Sequence, residues 1–137
     1  MAATMDLMQL LTRAERLVAQ RVTAVLAEWS VSIDAWRVIT RLAEEPETMG
    51  SLSAALFMPA ASLTRLIDQL VDDNLVYRRV DAVDRRRIRA HLTPRGRRLY
   101  ARITADLSDM PDDSLLAERL SALITSLSGA SVTGITS

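Results

Sequence analysis

Ten of the chain's 17 arginines crowd between Arg78 and Arg102, and the only carboxylates among them are Asp81 and Asp84. That segment carries +8 and the remainder −8, so a formal net charge of zero conceals two oppositely charged regions. Guanidinium is a planar, permanently charged fork that matches phosphate oxygens two at a time. A surface this dense in Arg is therefore suited to a phosphate backbone. Asp81 and Asp84 could instead be taken as an acid–base pair. No nucleophile or metal-ligand set accompanies them, so Asp84 is better placed as an ion partner that fixes the loop DAVDRRR for its arginines. The chain has no cysteine, which removes disulfides, thiolate catalysis and thiol redox sensing. A single histidine, His91, leaves little for a transition metal and is expected as an exposed strand residue. These residues point to no enzyme, no cofactor and no metal.

The arginines must be held by elements, and the local pattern supplies them. LVYRRV and RIRAHL read as two short strands joined by a polar turn. In the second, Ile88, Ala90 and Leu92 alternate with Arg87, Arg89 and His91. Upstream, a helix from about Ala60 to Asp73 buries Leu63, Leu66, Ile67, Leu70 and Val71. Its opposite face offers Ala61, Ser62, Arg65, Asp68 and Gln69. Small residues at 60–62 let such a helix approach base edges closely. Pro59 is suited to its first position and Asn74 to a left-handed residue after its end. A shorter helix over 48–57, capped by Thr48 or Ser51 with Leu52, Ala55 and Leu56 inward, precedes it at helix-turn-helix spacing. Thr93-Pro94 starts a further helix reaching about Asp109.

Two amphipathic helices bracket this unit. Over 6–29, Leu7, Leu11, Ala14, Val18, Val22 and Val25 recur at steps of three and four, a stripe wider than a small domain covers. Over 112–128, Leu116, Leu120, Leu123 and Leu127 form a short seam of coiled-coil spacing. Between the first helix and the short one, Ser32 suits an N-cap, Trp36 a core anchor, and Ile39 and Leu42 the same buried face. Trp29 and Trp36 are also the aromatic residues available to a small-molecule pocket. The expected fold is mostly α: a winged helix-turn-helix with a two-stranded β-wing, plus N- and C-terminal dimerisation helices. The expected division is a dimerisation layer from 1–30 and 94–128, a DNA-binding core over 31–93, and a flexible tail over 129–137.

Three runs resemble the MarR family of bacterial transcription regulators: SIDAWRVI, SLTRLIDQLVDDNLVYR, and DAVDRRRIRAHLTPRG, the last fitting D-x-x-D-x-R, a strand, then L-T-x-x-G. The resemblance implies that Ser62, Thr64 and Arg65 lie in the major groove. It likewise implies that Arg86 enters the minor groove, braced by Asp84. Arg78, Arg85 and Arg87 are the cations that the hairpin adds, and Ala61 completes the helix face. Asn74 stands where the family commonly has Gly, Ala82 where Pro is common and Val83 where Arg often sits. The implied function is a homodimeric, double-stranded-DNA-binding regulator of a pseudo-palindromic operator, a repressor released by a small aromatic or phenolic effector. No apolar run approaches membrane-spanning length, so a cytoplasmic, nucleoid-associated location is expected. The competing reading is a winged-helix protein–protein adaptor that never touches DNA, which an Arg-rich wing does not favour.

Overall fold

The computed structural model describes residues 2–110 and 114–130. The chain forms two compact units, one ending at Leu107 and the other beginning at Ser108. In the first, α1 (Ala2–Ala27), α2 (Ile33–Glu44), α3 (Met49–Ala55), α4 (Ala60–Asp72) and α5 (Pro94–Asp106) surround a small sheet of β1 (Glu47–Thr48), β2 (Val76–Val80) and β3 (Ile88–Leu92). The second contains α6 (Ser114–Ala130).

The helix starts follow their caps. Ser32 Oγ accepts the Ala35 N–H at 3.1 Å, Thr48 Oγ1 that of Ser51 at 3.1 Å, and Thr93 Oγ1 that of Gly96 at 2.9 Å. Proline at the start of α5 lacks a donor that would have had no helical partner there. Pro59 behaves differently from expectation: it is the N-cap of α4, not its first turn, and provides no side-chain cap. Asn74 follows α4 with φ 59°, the left-handed residue that closes a helix end. Ser30 and Phe57 adopt the same region in the α1–α2 and α3–α4 turns.

Leu26, Trp36, Val38, Ile39, Leu42, Leu52, Leu63, Ile67, Leu70, Val76, Ala90, Leu92 and Ile103 form one core beneath α2, α4, α5 and the sheet. Ala55, expected inward, is exposed, because α3 is short and turns only Leu52 fully into the core. Among the α1 residues whose burial is described, only Leu26 is fully buried. Leu7, Met8, Leu10, Leu11, Leu17 and Val18 remain exposed in the single chain.

The sheet has three antiparallel strands in the order β1-β3-β2, where two were expected. Val76 pairs Leu92 and Val80 pairs Ile88, while Glu47 and Thr48 add to the other edge of β3 opposite Ala90 and Arg89. A two-residue strand shows no alternation and cannot be found by periodicity. The helix expected over 112–128 is α6, with residues 112 and 113 outside the described part. The expected tail overlaps its end at Gly129 and Ala130, and 131–137 also lie outside the described residues.

Candidate nucleic-acid interface

The α3–α4 pair and the β2–β3 hairpin converge on one charged front. On α4, Ala61, Thr64, Arg65 and Asp68 are exposed at the three- and four-residue spacing of one helix face. The Thr64 hydroxyl donates to the Ala60 carbonyl at 2.9 Å, which keeps that side chain close to the helix. Arg65 makes no ion pair among the described residues. Ser62 sits beside this face and is half-buried. It lines a cleft of about 390 Å³ with Ser32, Arg37, Phe57, Pro59 and Leu66.

Arg78 is joined to α4 by an ion pair with Asp68. The pair links the middle of the helix to the first wing strand, so Arg78 serves as a brace as well as a cation of the front. No spacing rule brings residues 68 and 78 together; the link depends on the helix-to-strand turn at Asn74.

The wing tip is fixed mainly by backbone. Asp81 N–H donates to the Arg87 carbonyl at 2.9 Å and Arg87 N–H to the Asp84 carbonyl at 3.0 Å. Asp84 Oδ1 accepts the Arg86 N–H at 3.0 Å, a contact to the backbone amide. Its contacts with the Arg86 and Arg87 guanidinium groups are long, 3.9 and 3.6 Å. Asp81 is the buried carboxylate of the loop. It accepts the Val83 N–H at 3.3 Å and pairs with Arg89 Nε at 3.3 Å. The Val83 N–H bond, with Arg89, holds the Asp81 carboxyl below its ordinary range against the opposing effect of burial. With the tip so held, the Arg86 side chain is 96% exposed and Arg85 is exposed without an ion partner. Arg86 and Arg87 also line a cleft of about 640 Å³ with Thr48–Ser51 at the start of α3.

A second brace reaches the sheet from α2. Arg41 Nε donates to Glu47 Oε2 at 2.9 Å and a second guanidinium N–H donates to Oε1, a two-pronged pair. The bond to Glu47 raises the Arg41 pKa. Glu47 is buried and lies on β1, so this pair secures the strand that the sequence did not reveal. His91 is half-buried, facing Tyr77 across the strand pair with ring centroids 4.8 Å apart. Burial, with Arg79, Arg89 and Arg97 nearby, lowers its pKa.

The two tryptophans divide. Trp36 is buried and stacks on Tyr100 at 5.7 Å, a core contact rather than a pocket wall. Trp29 is half-buried and lines a cleft of about 520 Å³, its indole N–H donating to Asp106 Oδ2 at 2.9 Å. Among the described residues there is no cluster of three potential metal ligands and no single helix long and apolar enough to cross a membrane.

Residues 29–87, from Trp29 to the wing tip, match the family model described as MarR family. Over these residues the winged helix-turn-helix is similar to the MarR family. An uncharacterised HTH-type transcriptional regulator of Bacillus subtilis (strain 168), YsmB, is 38% identical over 56 residues, covering 41% of this chain and 38% of that protein. The likeness therefore spans well under half of that relative's length. AbfR of Staphylococcus epidermidis has a TM-score of 0.81 at 22% identity, over 93% of this chain and 94% of that one. AbfR in its reduced form bound to DNA aligns at TM-score 0.73 and 21% identity, over 95% and 94%. NadR in complex with 4-hydroxyphenylacetate aligns at TM-score 0.74 and 25% identity, over 92% and 91%. The likeness in fold to these structures thus extends beyond the segment that the family model matches.

Proposed function

We propose that the chain is a homodimeric transcription regulator that binds a pseudo-palindromic operator in double-stranded DNA, a repressor released by a small aromatic or phenolic effector. The carrying observation is the exposed cationic front: Arg65 on α4 and Arg85 and Arg86 at the wing tip, held out by a backbone-fixed loop. Helix α4 reads base edges through Ala61, Ser62, Thr64 and Arg65. The wing places Arg86 in the minor groove, where negative potential concentrates, and Arg85 and Arg87 against phosphates. The DNA-bound state of AbfR, a protein of the same fold, supports this placement.

Dimerisation is supported by the apolar residues that α1 leaves exposed, Leu7, Met8, Leu10, Leu11, Leu17 and Val18, and by the apolar character of α6. Two-fold pairing sets two α4 helices about one DNA turn apart. The complex of NadR with 4-hydroxyphenylacetate supports the effector, for which Trp29 is the available aromatic wall.

The test is affinity for duplexes selected from a random pool, measured against salt concentration. Log affinity should fall linearly with log salt, and Arg86→Ala should cost about 1–3 kcal/mol and lower the slope by about 1. A flat salt response would refute DNA binding, and an unchanged Arg86→Ala affinity would remove the wing from it.

A further inference from the structure

The cleft beside Trp29 contains a charge pattern that DNA binding does not use. Arg95, Arg98 and Arg102 lie at steps of three and four along α5 and line it together with Trp29, Leu75 and Leu99. Among the described residues Asp73 is the one carboxylate in the lining, with Asp106 behind Trp29, so the cations outnumber the carboxylates around the cleft. None of the three guanidinium groups makes an ion pair or side-chain hydrogen bond among the described residues. Like charges at these helical spacings repel, and the fold retains three in a row around a concave space. Its volume, about 520 Å³, falls in the range of small-molecule sites.

The cleft is separate from the DNA-reading surface. It lies at Asp73 and Leu75, beyond the C-terminal end of α4, whereas the nearest reading residue on that helix, Arg65, is roughly 12 Å away along the helix axis. The indole N–H of Trp29 is already engaged by Asp106, so Trp29 offers the cleft a ring rather than a donor.

We propose that this cleft binds a small dianion with a flat apolar body, such as an aryl phosphate. The doubly charged group sits among Arg95, Arg98 and Arg102, and the flat body lies along Trp29, Val31, Leu75 and Leu99. A phosphate presents several acceptor oxygens to guanidinium forks, where a phenol offers one weak acceptor and no charge. The occupant would bridge the α1–α2 turn, the end of α4 and the start of α5. Its consequence for operator release rests on the regulator reading above, but binding itself does not, and the test omits DNA.

Isothermal titration of the full chain would compare phenyl phosphate, inorganic phosphate, benzoate and phenol. Phenyl phosphate should saturate one site per chain and bind about tenfold or more tighter than benzoate, with phenol weakest. Arg98→Gln should weaken phenyl phosphate about tenfold, and Arg97→Gln, on the same helix but outside the cleft, should leave it unchanged. Binding should also alter Trp29 emission, a change lost in Trp29→Phe. Absence of saturable phenyl phosphate binding, equal binding of phenol, or equal effects of the two Arg variants would overturn the proposal.

Discussion

Gly96→Ala tests the joint between α5 and the end of α4. A Cβ on Gly96 would stand 2.2 Å from the Leu75 carbonyl oxygen and 3.2 Å from its carbon. The obstacle is backbone, so no rotamer change relieves it, and the start of α5 must move by roughly 1 Å or more to reach ordinary contact. Two hydrogen bonds cross the same joint: Thr93 N–H to Leu75 O at 3.0 Å and the Thr93 hydroxyl to Asn74 O at 2.7 Å. Losing both costs about 2 kcal/mol, and strain in a packed site adds about 1–3 kcal/mol. Alanine returns about 0.5–1 kcal/mol of helix preference. The net loss is about 2–4 kcal/mol, roughly 8–16 °C in Tm for a unit of this size. Thermal unfolding by circular dichroism would measure it, with Gly50→Ala as the control. A Cβ at Gly50 meets nothing within 4 Å, so that variant should be neutral or slightly more stable. Equal melting of the two variants would refute the close-approach argument.

Arg41→Ala should destabilise the fold by about 2–3 kcal/mol in chemical denaturation. That is at or below the low end for breaking a buried pair, because the Arg41 side chain is 40% exposed while Glu47 is 8%. The Arg41→Met, Glu47→Leu double variant should recover most of the loss, since no lone carboxylate then remains buried. For Asp81 the folded pKa lies below its ordinary value of 3.8, so its contribution is complete above that value and fades as pH falls through the lowered one. Protection of the Val83 amide, its exchange rate relative to the intrinsic rate at the same pH, should fall on acidification in the wild type. Asp81→Asn should already exchange fast at neutral pH, and slow exchange there would exclude the carboxylate as the loop's anchor. Truncation before Leu115 should convert dimers to monomers or aggregates by light scattering, and a stable dimer would show α6 to be dispensable.

The helices were legible because each alternates apolar and polar residues at its own period, and Ser32, Thr48 and Thr93 stand where caps are required. The wing was legible from the alternation in β3. What escaped depended on burial or on meetings across turns. Asp81 and Asp84 look equivalent by spacing, yet only Asp81 is buried and takes the inward Arg89. Trp36 and Trp29 look equally available, but α5 brings Tyr100 onto Trp36 and leaves Trp29 at a cleft. Ser30 and Phe57 take left-handed backbone without the glycine that would have announced it. The Gly96 motif was visible, but its reason, the carbonyl of Leu75 against its Cα, required three dimensions. Strand β1 escaped because its partner Arg41 lies on another element.

The Asp68–Arg78 pair bears on how the protein would travel along a genome. Arg78 already has an anion of its own, so an arbitrary stretch of duplex gains little by attracting it. On the proposed reading, the pair would hold helix and wing together during such encounters and leave one cationic contact fewer for non-specific duplex. At a matching site, with Arg65 engaged as proposed, a phosphate would compete with Asp68 for the guanidinium. The pair would then set apart a charge that counts only where the register is right, separating search from arrest.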